Sequence, residues 1–260
     1  MKQIVKCKLM ALGISLVFAA CNSGDKTTES ATTNTDTTEQ KTTMAESTPQ
    51  EQVMDAAKVA PALYKVVKDT MGIRVLDILY KPGDSSAMHS HPDNVLYVID
   101  GGKGVFTEKD GTKHVNEFKN GMSMILGPGT HSVKNVGTTT LKAILVEVNR
   151  PNTKVEQDQA MDPLKVAPAL YKVVSDSLNI RVLMATYKPG ASSALHSHPD
   201  NAIYVIGGSK AEFTMKDGTK QVMTMDKGMT SIFPGGVHSV KNIGNTTTKV
   251  LIVEVNRPVN

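Results

Sequence analysis

From residue 59 onward the apolar positions come in short runs, some alternating with polar residues and some unbroken, divided by Gly, Pro, Asn and Asp. That is the signature of strands, and no stretch keeps the spacing of a long amphipathic helix. Ala62–Val67 and Ile73–Tyr80 are expected to pair around Asp69-Thr70-Met71-Gly72, with Lys81-Pro82-Gly83 ending the second strand. Strands over Ala87–His91 and Val95–Ile99 follow, the latter closed by Asp100-Gly101-Gly102. Asp110-Gly111 suits a tight primed turn and marks a hairpin over Lys109–Lys113. Met122–Leu126, a strand carrying His131, and the run Leu141–Val148 bring the total to about eight. Short strands in this number argue for a small antiparallel barrel or jelly roll, because closure removes the exposed edges that otherwise aggregate.

The pattern then repeats. Val59–Arg150 aligns with Val166–Arg257 at a constant offset of 107 residues, without a gap, and about 58 of the 92 positions are identical. The expected fold class is therefore all-β, with two tandem jelly-roll barrels over residues 57–150 and 166–260. Residues 151–165 form an acidic linker in which Pro163 argues against one continuous helix. A hydrophobic content of 40% supplies two cores of Val, Ile, Leu and Met. With no Trp and 4% aromatics, the chain offers little on which bases or sugars could stack.

The N-terminus has a different character. Lys2, Lys6 and Lys8 precede the 12-residue apolar run Leu9–Ala20, too short to span a bilayer, and residues 1–20 are expected to be a signal peptide. Phe18-Ala19-Ala20-Cys21 resembles the lipobox of bacterial lipoproteins, with Phe18 where Leu is usual. The resemblance implies acylation of Cys21, a lipid anchor in a membrane and a place in the bacterial cell envelope. Residues 21–56 are mostly Thr, Ser, Glu and Asp and form a tether with too little to bury to offset the entropy of ordering. Loss of the signal removes three of the 29 basic residues and leaves 26 against 25 acidic ones, which excludes nucleic acid as the expected partner. Cys7 leaves with the signal and Cys21 carries lipid, so neither cysteine catalysis nor a cysteine zinc site is expected.

The chemistry concentrates in His89-Ser90-His91-Pro92-Asp93-Asn94, which recurs letter for letter as His196-Ser197-His198-Pro199-Asp200-Asn201. Residues i and i+2 of a strand share a face, so each His-x-His sets two imidazoles side by side. Neutral imidazole is the commonest protein ligand for transition metals.

These motifs resemble those of the cupins. Gly83, His89, His91 and Gly101 follow the family's first motif. Gly228, Pro234, Gly236, His238 and Asn242 follow the second, as do Gly121, Pro128, Gly129, His131 and Asn135 less closely. The resemblance implies metal sites of His89, His91 and His131 and of His196, His198 and His238. The place of the family's metal-binding Glu falls on Asn94 and Asn201, whose amide oxygens are optional fourth donors. The implied cofactor is a divalent metal, and imidazole does not choose among Zn, Fe, Mn, Ni and Cu. Without a carboxylate the ion keeps its full positive charge, which favours an anionic exogenous ligand, and three neutral His with an open position resemble catalytic zinc sites. Likeness to three-His cupin dioxygenases adds Fe(II) and O2 chemistry.

The expected partner is a small molecule, bound or transformed at these sites. The alternative is a non-catalytic ligand-binding, sensing or interaction module without metal. No catalytic residue is assigned. Asp93 and Asp200 follow Pro and are expected to cap a turn. Glu147 and Glu254 sit in apolar final strands whose facing the pattern leaves open. His114 has Gln221 opposite it and is expected on an exposed hairpin. Lys81, Lys134, Lys188 and Lys241 are expected at solvated strand ends, and most of the 14 Met in the cores. Two fused barrels can themselves supply the interface that single-domain cupins obtain by dimerising.

Overall fold

A computed structural model describes residues 54–259. The expected signal peptide, Cys21 and most of the tether lie outside the described residues. The first repeat runs through α1 (Ala56–Val59), β1 (Tyr64–Thr70), β2 (Ile73–Tyr80), β3 (His89–His91), β4 (Asn94–Asp100), β5 (Gly102–Glu108), β6 (Lys113–Phe118), β7 (Ser123–Leu126), β8 (Gly129–Asn135) and β9 (Leu141–Val148). A 3-10 turn (Gln159–Met161) and α2 (Pro163–Val166) lead into β10 (Tyr171–Ser177), β11 (Ile180–Tyr187), β12 (His196–His198), β13 (Asn201–Gly207), β14 (Ser209–Met215), β15 (Lys220–Met225), β16 (Thr230–Phe233), β17 (Gly236–Asn242) and β18 (Thr248–Val255).

Each repeat pairs a five-stranded sheet, ordered β1-β2-β9-β4-β7, with a four-stranded sheet, ordered β3-β8-β5-β6, and the second repeat copies both orders. The all-β, two-barrel expectation holds. The strand expected over Ala87–His91 is shorter, because Ser86 is held to Val133 by both its N–H and its hydroxyl before the chain turns into β3.

Along β2, β9 and β4 both faces of the five-stranded sheet are largely buried. On β9, Leu141, Ala143 and Leu145 point into the first barrel beside Leu76, Ile78 and Tyr80. The alternate residues Ile144, Val146 and Val148 pack instead in a cluster with Ile180, Val182, Leu251, Val253 and Val255 of the second repeat. This is why the final strands read as unbroken apolar runs: one face lines a barrel and the other joins the two barrels.

Polar contacts across this interface are reciprocal, as in an isologous dimer. Arg150 Nη2 meets Asp200 Oδ2 at 2.8 Å, and Arg257 Nη2 meets Asp93 Oδ2 at 2.7 Å. Arg150 Nη1 donates to the Arg257 carbonyl at 3.0 Å, and Arg257 Nη1 returns the bond to Arg150 at 3.2 Å. The rings of Tyr97 and Tyr204 approach to 5.8 Å. Asp93 and Asp200, expected as turn caps, thus clasp one barrel to the other. Arg150 also straps the β1–β2 turn, donating from Nε to the Met71 carbonyl at 2.6 Å. Met71 and Gly72 both have positive φ there, 53° and 66°, as a primed two-residue turn requires.

The folded part reaches past the boundary expected at residue 56. The Met54 carbonyl accepts from Ser90 N at 2.8 Å, and Asp55 caps α1 and pairs with Arg74 at 2.6 Å. Asp162, on the linker side of the second boundary, caps α2 and pairs with Arg181 at 2.6 Å. Pro163 occupies the first position of α2, where its missing N–H costs nothing.

The Arg150 side chain is 1% exposed. Replacing it with Ala removes its charge from Asp200 and strands two buried carbonyls. Urea unfolding of Arg150→Ala is expected to show a loss of about 3 kcal/mol, the scale for breaking a buried pair; a loss below about 0.5 kcal/mol, typical of surface pairs, would contradict a structural role for the clasp.

Candidate metal centre

The pairing of β3 with β8 sets His89 directly opposite His131, and the two-residue period of β3 puts His91 on the same face. In the second barrel β12 and β17 place His196 opposite His238 with His198 beside them. One ligand atom from each of His89, His91 and His131 can be chosen so that all three lie within 4.8 Å of one another, and the same holds for His196, His198 and His238. The structure brings the six imidazoles named from the sequence together in two triads.

Each triad opens into the interior of its barrel. The first cavity has a volume of about 490 Å³ and is lined by Tyr64, Tyr80, Phe106, Met124 and Leu126 as well as by His91 and His131. The second, about 350 Å³, is lined by Tyr171, Tyr187, Phe213, Met223 and Phe233 with His198 and His238. Apolar walls with a few convergent polar groups are the usual form of a small-molecule site. Lys81, Lys134, Lys188 and Lys241 are exposed and line neither cavity, and His114 is exposed on β6.

Hydrogen bonds set the tautomers. His89 Nδ1 lies 2.8 Å from the Ala87 carbonyl, which can only accept, so Nδ1 carries the proton and Nε2 keeps a lone pair. His89 Nε2 is buried and without a hydrogen-bond partner. His91 Nδ1 donates to Glu147 Oε1 at 2.6 Å, so the carboxylate holds that nitrogen and Nε2 is the one left to ligate. His196 and His198 repeat this with the Ala194 carbonyl at 2.9 Å and Glu254 Oε1 at 2.6 Å. Histidines that ligate metals are oriented in this way, by a carbonyl or carboxylate on the far nitrogen.

Glu147 and Glu254 are fully buried, and their inward facing is a feature that sequence reasoning left open. Glu147 Oε2 accepts from Arg74 Nε at 2.6 Å, and Arg74 reaches Asp55. Glu254, Arg181 and Asp162 form the same chain. A carboxylate, a guanidinium and a second carboxylate leave one net negative charge behind each triad. The charge absent among the expected ligands is therefore present one layer back. The recurrence of Met54-Asp55 as Met161-Asp162, at the same offset of 107, was the signal that these residues belong to the repeat.

Asn94 and Asn201 line the cavities, each amide nitrogen donating to the carbonyl of the Pro two residues before it at 2.8 Å. Further along the same strands the cavity-lining residues are Leu96, Val98 and Asp100 on β4 and Ile203 on β13, and none of them joins a His triad.

Burial lowers the His89 and His196 pKa values to about 4. His131 and His238 fall to about 3, through burial first and then the neighbouring imidazoles. All four are neutral near pH 7, the form a metal ion binds.

This two-barrel arrangement has the fold of a pair of cupin-type barrels. Residues 183–254 match the Cupin domain family. Comparison with curated protein sequences finds no match. Among solved structures, an oxalate decarboxylase variant from Bacillus subtilis superposes with a TM-score of 0.54 at 17% identity, covering 73% of this chain and 70% of that one. Procruciferin, an 11S globulin from Brassica napus, superposes with a TM-score of 0.52 at 12% identity, covering 72% and 76%. An enzyme and a globulin share this fold, so the fold by itself assigns no activity.

The histidine pKa values carry a pH dependence for the metal-free protein. Unfolded histidines titrate near 6.5 and the buried ones only at about 4 and below. Between those values the unfolded state binds more protons, so stability is full above about pH 7 and falls as pH drops from about 6.5 towards 4. Thermal unfolding with chelator is expected to show a midpoint that declines through that window; a flat midpoint would mean that the imidazoles are not held neutral.

Proposed function

We propose that this chain is an envelope-anchored bicupin whose barrels each bind a divalent metal through three His and bind or transform a small molecule beside it. The observation that carries the reading is His89 Nε2. It is a buried lone pair with no partner, aimed at two further imidazoles and held in that tautomer by the Ala87 carbonyl. Leaving such an atom unpaired is costly, and an ion shared with His91 and His131 removes the cost. The Mn(II) centres of Bacillus subtilis oxalate decarboxylase, a structure of the same fold, support a divalent ion without choosing which.

The ion would supply a positive charge in an apolar cavity, where it attracts and orients an anionic or polar group. The chain's own residues do the rest. Glu147 and Glu254 lock the second imidazole of each triad. Tyr64, Phe106, Phe213 and Tyr171 wall the cavities and exclude water around whatever small molecule enters. Cys21, through its lipid, would tether both barrels to the membrane.

A second reading is a ligand-binding module without metal. It draws on the second barrel, where Tyr171 lies 2.8 Å from His196 Nε2 and satisfies it without an ion.

Metal analysis of the protein purified without a histidine tag separates the two. Bound divalent metal near one ion per barrel is expected. Joint replacement of His89 and His91 by Ala removes the first barrel's share, and the same change at His196 and His198 removes the other. Near-zero metal in the unaltered protein, unchanged by those substitutions, would reject the metalloprotein reading. For the anchor, Cys21→Ser is expected to move the protein from the membrane to the soluble fraction on cell fractionation, and retention in the membrane would reject lipidation at that residue.

A further inference from the structure

The two cavities share a floor and differ in one wall. His91, His131, Tyr64, Tyr80 and Phe106 recur at the offset of 107 as His198, His238, Tyr171, Tyr187 and Phe213. On the wall built by β5 and β6 the copies part. Glu108, Asn116 and Phe118 of the first barrel give way to Met215, Met223 and Met225 on β14 and β15 of the second, and all six line their cavities. Strands that keep their register and their histidines, yet exchange side chains on one inward face, present different surfaces to whatever enters.

Strand pairing places the first of these residues. Glu108 is the direct partner of His131 in the β5–β8 pair, as Met215 is of His238 in the β14–β17 pair. Directly paired residues share a face of the sheet, and so do residues two apart along a strand. Glu108 therefore rises from the wall beside the third imidazole, on the face that carries Phe106, whose ring lies 5.1 Å from that of His131. The side chain is half-buried, and among the described residues its carboxylate enters no ion pair.

The other acids of this lining stand opposite bases. Lys142 on β9 is the strand partner of Asp100, and Lys103 on β5 is that of Glu117. Glu108 is left as the uncompensated charge of the first cavity, and a cation that brings its own hydrogen-bond donors is what such a group holds best. The second cavity is lined by no Asp, Glu, Lys or Arg. Its three thioethers, with Phe213 and Phe233, form a soft apolar wall that adapts to the shape of an apolar guest.

We infer that the two barrels select different ligands. The first takes a small molecule carrying a protonated amine, which Glu108 holds; the second takes an uncharged, apolar one, packed against Met215, Met223 and Met225. The inference rests on reading the cavities as small-molecule sites, and it requires no metal.

Two probes of equal length and opposite character test it: n-hexylammonium and n-hexanol, titrated at pH 7 into the full chain labelled with carbon-13 in its methionine methyl groups. Met124 reports on the first cavity, and Met215 and Met223 report on the second. Hexylammonium is expected to shift Met124 at a concentration about tenfold below the one that shifts Met215 and Met223, the scale of one charge-assisted hydrogen bond. Hexanol is expected to shift Met215 and Met223 first. Glu108→Gln, which keeps the shape and removes the charge, should cost the first cavity that advantage, and Met215→Glu should bring hexylammonium to the second, read at Met223. Equal affinity of the two cavities for both probes, or a preference for the amine that survives Glu108→Gln, overturns the assignment. The unaltered protein's two titrations decide even where a variant fails to fold. If neither probe shifts any of these methyl groups, the reading of the cavities as small-molecule sites falls, and the assignment with it.

Discussion

A carboxylate with no exposed surface must be paired, and in each barrel one such group ties the rest together. Glu147 takes the N–H of His91 on one oxygen and the guanidinium of Arg74 on the other, and Arg74 reaches on to Asp55 at the start of the fold. Burying this acid costs several kcal/mol unless both oxygens are satisfied, so it makes the position of each partner obligatory. The orientation of one imidazole, the docking of α1 and the register of β2 against β9 are thus consequences of a single buried charge. The second barrel reproduces every step through Glu254, His198, Arg181 and Asp162.

The duplication supplies the second constraint. A five-stranded sheet with an apolar outer face would be exposed in a lone barrel, and here the two copies cover each other. The reciprocal clasps of Arg150 with Asp200 and Arg257 with Asp93 fix the relation. Asp93 stands two residues after His91, so the segment that turns His91 inward also fastens the barrels outside. Alternate residues along one strand serve chemistry on one face and assembly on the other.

Much of this was legible in the sequence, and the exceptions have physical causes. Histidines spaced by two on a strand have to share a face, so His89 with His91 and His196 with His198 were readable from periodicity alone. His131 and His238 needed the family motif, because only β3–β8 and β12–β17 pairing brings them opposite. Glu147 was visible as an acid in an apolar strand, yet its facing was not: with both faces of β9 buried, no polar alternation sets the phase. Asp55 was hidden by composition, a charged residue at the end of a long polar tract. Tyr64 and Tyr171 looked like ordinary strand residues because their hydroxyl partners are distant in sequence.

Both centres depend most directly on the state of their imidazoles, which nitrogen-15 NMR of the histidine side chains reports at neutral pH. In the metal-free protein His89 and His196 are expected to be neutral with the proton on Nδ1. On adding Zn(II), the Nε2 resonances of both triads should move, while that of His114 stays. Protonation on Nε2 in the metal-free form, or Nε2 signals indifferent to zinc, would contradict a metal centre built on these six residues.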